Sequence, residues 1–285
     1  MTLRVAFLGP AGTFTEEALR ASSPGDVEEV HYGTVYETVM AVQTGHADRA
    51  LVPIENSLEG SVTATLDALA GEADRVRIAA EVVHPIHHCL VAAHELELAE
   101  VRRVISHPQA SAQCARFLRE RLPRAERVST ASTAEAVRLV AEAREAWAAL
   151  GSRLSADLYR CRVLAEDVED HADNLTRFVW LAPAGELAAH APEQTGQPKA
   201  KTSVVFWGFN DDSPGALVDV LREFSDRGIN LTKIESRPRR VQLGHYMFFA
   251  DLQGGEHDAE VREALSALGQ RVGALRVLGS YPAAR

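Results

Sequence analysis

Apolar residues recur along this chain in two rhythms. Short β-branched or aliphatic runs at Val5-Ala6-Phe7-Leu8, Ala50 to Ile54, Val82 to Val91, Val104-Ile105 and Trp147 to Leu150 predict strands. Between them, apolar residues three or four apart predict helices: Ala18 with Leu19, Val39 with Val42, Val62 with Leu66 and Leu69, and Val137 with Val140. Three helix starts carry a capping-box spacing, Thr13 with Glu16, Thr34 with Glu37 and Ser132 with Glu135, and Pro108 suits the first turn of another. A further helix runs to about Tyr159, and Val163 to Val168 closes the series. Strands alternating with helices imply mostly parallel α/β sheets. We expect two lobes, about 1–76 with 170–183 and about 77–169. Polar strand ends at Gly9 to Thr13, Glu55 to Ser57, Ser106 to Ser111 and Gly151-Ser152 would then gather at a cleft between them, where open α/β sheets bind ligands.

The rhythm stops after Leu181. From Ala182 to Lys201, Pro183, Gly185, Pro192, Gly196 and Pro198 interrupt any period, which places a linker at 184–200 between a domain of residues 1–183 and a compact unit of residues 201–281. In that unit Thr202 to Trp207, Asn230 to Ser236, His245 to Leu252 and Leu275 to Leu278 predict strands. Leu217, Leu221 and Phe224 mark one helix, with Ser213 as N-cap, Pro214 at its first position and an end near Gly228. Val261, Leu265 and Leu268 mark a second. The order βαββαβ is the ferredoxin-like arrangement.

At 285 residues, 46% hydrophobic and 25% charged, the chain has an ordinary globular composition with room for two cores. A net charge of -10 argues against nucleic acid and anionic membrane surfaces as partners, and no apolar run reaches membrane-spanning length. An anionic substrate therefore needs a local cation. The N-terminus runs straight into the first strand without a signal peptide, so we expect a cytoplasmic protein in which Cys89, Cys114 and Cys161 stay reduced. The sequons at Asn174-Leu175-Thr176 and Asn230-Leu231-Thr232 then meet no glycosylating machinery.

Candidate chemistry concentrates in Asp173-Asn174-Leu175-Thr176-Arg177-Phe178-Val179-Trp180, where three polar side chains, Asn174, Thr176 and Arg177, stand directly before an apolar strand. Such a junction lets polar groups face a cleft while burial of the next residues locks the backbone. Backbone amides at the helix start after Gly12-Thr13 form a candidate anion site. His84, His87, His88 and Cys89 invite a metal reading. Strand alternation lets only His87 and Cys89 converge, which leaves at most two nearby ligands and predicts no metal site.

Four motifs, Gly9-Pro10-Ala11-Gly12-Thr13-Phe14, Pro53-Ile54-Glu55-Asn56-Ser57 with Gly60, His107-Pro108-Gln109-Ala110 with Gln113-Cys114, and Asn174-Leu175-Thr176-Arg177-Phe178, together resemble the prephenate dehydratases. The C-terminal unit resembles that family's regulatory ACT domain. Gly215-Ala216-Leu217-Val218-Asp219-Val220-Leu221 and Glu235-Ser236-Arg237-Pro238 match its two phenylalanine-sensing motifs. The resemblance runs from about Arg4 to Tyr281. It departs at Ser111, where an apolar residue is more usual, and at Gly151, in place of an alanine. The helical chorismate mutase module frequent in the family has no counterpart ahead of the first strand, which points to a monofunctional enzyme.

The resemblance implies decarboxylation and dehydration of prephenate to phenylpyruvate in phenylalanine biosynthesis. No metal or organic cofactor is implied, because the aromatising ring is its own electron sink. By resemblance Thr176 gives a proton or strong hydrogen bond to the departing ring hydroxyl, and Arg177, Phe178, Asn56, Ser57, Thr13, Ser111 and Asn174 surround the substrate. A regular strand puts Thr176 and Phe178 on one face and Arg177 on the other. Two roles for Arg177 follow, a bidentate anchor for a substrate carboxylate or a partner for Glu55 or Asp173. Phenylalanine is the expected effector, held by Gly215, Ala216, Leu217, Asn230, Glu235, Ser236, Arg237 and Pro238 where ACT domains pair in a homodimer or homotetramer. Two other readings stand: the same chemistry on arogenate, and a non-catalytic amino-acid sensor, since two α/β lobes with a hinge are also the plan of periplasmic solute-binding proteins.

Overall fold

The computed structural model describes residues 2–23, 25–185, 200–209, 213–241 and 243–284. All but the ends of the expected linker, 184–200, lie outside these residues. The first part of the chain runs β1 (Leu3–Leu8), α1 (Phe14–Ser22), β2 (Val27–Tyr32), α2 (Val35–Gln43), β3 (Arg49–Asn56), β4 (Gly60–Ser61), α3 (Thr63–Ala70) and β5 (Val76–Pro85). Next come β6 (Cys89–Ala92), β7 (Arg103–Ser106), α4 (Pro108–Gln113), α5 (Ala115–Arg121), β8 (Glu126–Ser129), α6 (Thr133–Glu142), β9 (Trp147–Gly151), α7 (Arg153–Leu158), β10 (Arg162–Ala165) and β11 (Leu175–Pro183). The last segment is β12 (Ala200–Trp207), α8 (Ala216–Ser225), β13 (Leu231–Pro238), β14 (Tyr246–Gln253), α9 (Ala259–Arg271) and β15 (Ala274–Pro282).

These strands form an α/β protein with three sheets. The first has the order β2-β1-β3-β11-β5 with β4 paired to β3, the second β10-β6-β9-β7-β8, and the third β13-β14-β12-β15. The first sheet takes in β5, residues that the periodicity groups with the second lobe. The second sheet shows how a continuous apolar run is used. Leu90, Val104, Ala148 and Leu150 face one core with Leu118 and Leu122, whereas Val91, Ile105 and Ala149 face another with Val137 and Val140. Both faces are covered, so successive residues are all apolar. Gly151 ends β9 where an alanine Cβ would press on Val137 Cγ2 and Ser155 Oγ, so the glycine lets α6 pack this closely.

Two expectations need correction. The run Val82 to Val91 is not one strand: it breaks at Ile86–His88, where Ile86 N–H donates to Asn174 O and His88 O accepts from Val168 N–H, and the chain passes from the first sheet to the second. The second sheet is also mixed, because β6 is antiparallel to both β9 and β10 while β7 is parallel to β8 and β9. Alternation with helices implies parallel strands only where a helical crossover intervenes, and β6 follows β5 without one.

The described chain divides into two compact units, one of residues 1–38, 51–60 and 83–178 and one of residues 39–50, 61–82 and 179–285. In the second, β12 to β15 carry the expected βαββαβ order, and Val204, Phe206, Val220, Phe224, Leu252 and Leu268 centre its core. Helix α8 begins later than expected. Gly215, at φ +88°, is the N-cap in place of Ser213, since only glycine adopts that left-handed backbone without strain, and Ser213-Pro214 form the turn before it. Among the described residues no helix is long and apolar enough to cross a membrane.

Candidate active site

β3 and β11 are neighbours in the first sheet, which brings residues 55–57 beside residues 173–177 across some 118 positions of sequence. Ser57 N–H donates to Leu175 O at 2.8 Å and Leu175 N–H donates back to Ser57 Oγ at 2.9 Å, so Ser57 fixes the backbone at the head of β11. Its hydroxyl also reaches Asp173 O at 3.3 Å.

The orientation of the amide beside it follows from backbone chemistry. Asn56 Oδ1 accepts the N–H groups of Leu58 and Glu59, both at 3.0 Å, and only an oxygen can accept there. The Asn56 amide nitrogen must then face the other way, donating to Asn174 Oδ1 at 2.8 Å and Thr176 Oγ1 at 2.9 Å, with a longer approach of 3.2 Å to Leu175 O. An amide nitrogen cannot accept, so Thr176 receives this bond and its own O–H proton remains available for another acceptor. Asn174, with no exposed surface, passes the order on: its Nδ2 donates to Gln113 Oε1 at 3.1 Å, and the same oxygen lies 3.0 Å from His88 Nε2. Because Oε1 only accepts, Nε2 carries the hydrogen. His88 Nδ1 is buried and has no hydrogen-bond partner among the described residues, and burial lowers the pKa of this imidazole, which favours the neutral ring. His88 N–H and His87 Nδ1 both meet the Glu169 carboxylate at 2.8 Å.

The expected site residues divide by this geometry. Asn56, Asn174, Ser57 and Thr176 are brought together, and Thr176 keeps 7% of its surface exposed. Phe178 is core, its ring edge-on to His84. Arg177 lies on the alternate face of β11, as strand periodicity demands, with Nε 3.4 Å from Glu55 Oε2. Of the two roles left open for it, the Glu55 pairing is present. Thr13 is a helix cap, donating to Leu8 O at 3.0 Å and accepting from Glu16 N–H at 3.4 Å. The capping box is not reciprocal, because Glu16 takes the Gly12 N–H at 2.6 Å and pairs with Arg20. The candidate anion site at this helix start thus already holds the chain's own buried carboxylate. Ser111 is half-buried on α4 and its hydroxyl makes no hydrogen bond to Asn56, Asn174 or Thr176. Gln113, His88 and Glu169 join this cluster and lie outside the expected site residues. Gln113 stands in one of the four motifs, and His88 was set aside with the metal reading.

His87 turns its Nδ1 to Glu169. Cys89 packs into the core of the second sheet, and burial raises its thiol to about 11, which disfavours the thiolate a metal needs. Among the described residues the group with ligating geometry is His87, Asp167 and Glu169, whose ligand atoms lie within 4.8 Å of one another. Within that group His87 Nδ1 and Glu169 Oε1 are 2.8 Å apart.

The expected effector motifs also separate. Gly215, Ala216 and Leu217 line a cavity of about 260 Å³ with Phe209, Tyr246 and Phe248. Glu235 instead accepts from Ser61 Oγ at 2.9 Å, Arg237 pairs bidentately with Asp67 at 2.9–3.2 Å, and Pro238 lines a second cavity with Asp67 and Trp207. Ser236 is exposed, and the exposed Asn230 accepts Gln253 N–H through its carbonyl. Among the described residues the two motifs line different cavities.

Fold and site together define a class: an α/β catalytic unit built around a buried amide and alcohol cluster, joined to a ferredoxin-like regulatory unit. Residues 5–186 match the prephenate dehydratase family and residues 209–270 the ACT domain. The prephenate dehydratase of Amycolatopsis methanolica is 38% identical over 98% of this chain and 88% of its own, and that of Bacillus subtilis strain 168 is 36% identical over 98% of each. A crystal structure of a prephenate dehydratase from Arthrobacter aurescens in complex with L-Phe has a TM-score of 0.88 at 41% identity, covering 99% of this chain and 92% of that one. GqqA, a quorum-quenching acylase, has a TM-score of 0.84 at 30% identity, covering 99% and 98%. The chain belongs to the prephenate dehydratase family, with a C-terminal ACT domain.

Proposed function

We propose that this chain converts prephenate to phenylpyruvate by decarboxylating dehydration, with Thr176 donating to the departing ring hydroxyl and Asn56 holding Thr176 in that role. The substrate supplies two carboxylates and a hydroxyl; loss of carbon dioxide sends an electron pair through the ring, which expels the hydroxyl as the ring becomes aromatic. The protein's tasks are to hold the dianion, leave the departing carboxylate poorly solvated and protonate the oxygen. Thr176 is a weak acid, yet water, the conjugate acid of the leaving hydroxide, has a pKa of about 15.7, so transfer from an alcohol is not far uphill. The observation that carries this reading is the Asn56 N–H bond to Thr176 Oγ1, which occupies the oxygen, leaves the proton free and stabilises negative charge developing on Oγ1. Arg177, oriented by Glu55, is the proposed anchor for a substrate carboxylate. Family membership weighs against the non-catalytic sensor. Thr176→Ala is expected to lower kcat by about 10²-fold or more with KM largely kept, the scale of a lost general acid. A near-normal kcat would remove Thr176 from the mechanism.

For regulation, we propose that phenylalanine enters the cavity at Gly215, Ala216 and Leu217, with its ring against Phe209, Tyr246 and Phe248, and inhibits. β13 is an edge strand, and pairing ACT domains across it in a homodimer or homotetramer would let a second copy's Glu235 to Pro238 motif complete the site. Sedimentation with and without phenylalanine tests the assembly, and a strictly monomeric, phenylalanine-responsive chain would exclude it. We keep domain bounds of 1–183 and 201–281 with the linker between. Three free cysteines among the described residues suit the cytoplasm.

A further inference from the structure

We propose that His87, Asp167 and Glu169 form a binding site for a divalent transition-metal ion, and that the ion clips together the two places where the chain crosses between the first and second sheets. The first crossing runs from the end of β5 at Pro85 to the start of β6 at Cys89, and the second from the end of β10 at Ala165 to the start of β11 at Leu175. Val168 N–H donates to His88 O at 3.0 Å and His88 N–H donates to Glu169 Oε2 at 2.8 Å, so the crossings run side by side. Alternation then sorts the side chains. Val168 is buried in a core of the second sheet, which turns Asp167 and Glu169 to the other face. His87, 82 positions before Glu169, meets both carboxylates from the first crossing, its Nδ1 2.8 Å from Glu169 Oε1 and 3.6 Å from Asp167 Oδ1. Three ligands that no single strand could supply are thus gathered from two segments.

The donor set, one imidazole nitrogen and two carboxylate oxygens, suits zinc and its neighbours. An ion bound at about 2.1 Å sets neighbouring ligands about 3.0–3.4 Å apart, and these three atoms already lie within 4.8 Å of one another. Rotation of the two exposed side chains, His87 and Asp167, closes the difference. Glu169 is the fixed member: its side chain is buried, and its second oxygen is held by the His88 N–H, the kind of outer bond that orients a ligating carboxylate. Among the described residues neither carboxylate has a lysine or arginine partner, so a cation would neutralise charge that the fold itself leaves to His87 alone. The ion would take the place of the Nδ1 hydrogen, with the ring keeping its hydrogen on Nε2. The chain's charge of -10 draws cations toward it.

The test is calorimetric titration of the intact, chelator-treated protein with zinc chloride, for the wild type, His87→Ala, Asp167→Asn and His257→Ala, with melting temperatures for each. The wild type should bind one equivalent, and its melting temperature should rise with zinc concentration, since the folded chain offers a site that the unfolded one lacks. His87→Ala and Asp167→Asn should each weaken binding by about tenfold or more and lose that rise. Both side chains are exposed, so both variants should melt like the wild type when zinc is absent. His257→Ala removes an exposed histidine elsewhere and should titrate as the wild type does. Hydrogen exchange of the intact protein tests the clip separately: zinc should slow exchange of the His88 and Val168 amides, which join the two crossings. Titration that shows no one-to-one binding, or binding that survives His87→Ala, overturns the site. Binding that leaves both amides exchanging as before overturns the clip.

Discussion

The two candidate sites of this chain are built by opposite means. The proposed dehydration site joins residues some 118 positions apart, is buried, and surrounds Thr176 with neutral groups, two asparagines, a glutamine and an uncharged imidazole, while Arg177 with Glu55 is kept for the substrate carboxylate. The effector region is local and partly exposed, a glycine-capped helix turn over an apolar cavity beside a strand whose Lys233, Glu235 and Arg237 reach Ser61 and Asp67. The contrast follows from the tasks. A proton must leave one oxygen in one direction, so the catalytic cluster is over-determined and each hydrogen bond allows only one sense. An effector site must accept two states, and half-exposed charge pairs worth about 0–1 kcal/mol can be exchanged at little cost.

The sharpest break of this contrast is Asn56→Asp. The substitution is nearly isosteric, but a carboxylate cannot donate, so Thr176 would turn its proton toward residue 56 and away from substrate. We expect kcat to fall by about 10²-fold or more with KM changed only a few-fold. Steady-state kinetics on prephenate decide it; an active Asn56→Asp enzyme would show that the direction of this bond is immaterial.

Gly215→Ala probes the other side. Among the described residues no atom lies within 4 Å of the added Cβ, so its effect there is backbone strain at φ +88°, about 1–2 kcal/mol. If phenylalanine binds against this turn, the concentration for half-inhibition should rise about tenfold, the equivalent of 1.4 kcal/mol, with the uninhibited kcat unchanged. Calorimetric titration with phenylalanine checks the same shift directly, and an unaltered affinity would move the effector elsewhere.

How much of this was legible beforehand depends on the range of the contacts. Helix starts at Thr13, Thr34 and Ser132 and the proline at Pro108 are decided by residues three or four apart, and the structure keeps them. The cap of α8 was misplaced because Ser213-Pro214 satisfies the same local rule that Gly215 satisfies better, by adopting a positive φ. The break at Ile86–His88 was invisible because an apolar run carries no mark of the sheet it belongs to. Thr176, Asn174 and Asn56 are legible as motif residues, whereas the hydrogen bonds that join them are not. The chain Asn56, Asn174, Gln113, His88 is a product of the three-dimensional fold, with sequence separations of 118, 61 and 25.

A smaller effect is expected at Asp67, which holds both Arg237 and Arg240 from a partly exposed position. Asp67→Asn should cost at most about 1 kcal/mol, and the difference from wild type should shrink in high salt as screening weakens the pairs. Melting temperatures across a sodium chloride series test this; a difference independent of salt would mean that packing, not charge, is what the substitution removes.

The last effect returns to the buried cluster and concerns pH. Burial, the leading cause, lowers the His88 pKa from its ordinary 6.5, outweighing the hydrogen bond to Gln113 and the nearby carboxylates of Glu169 and Glu17, which act the other way; His87 adds to the lowering. In the unfolded chain the ring takes up a proton as pH falls through about 6.5, while in the folded chain it stays neutral to lower pH. The unfolded state therefore binds more protons in that window, and stability must fall with falling pH, by at most about 1.4 kcal/mol per unit for this one group. Above the window the contribution is constant. Urea unfolding at pH 7.5, 6.5 and 5.5 should show a steeper loss for the wild type than for His88→Gln, which has no proton to take up. Equal slopes would mean that the ring is protonated inside the fold, and a protonated ring would donate from both nitrogens, so it would no longer report which way the Gln113 amide is turned.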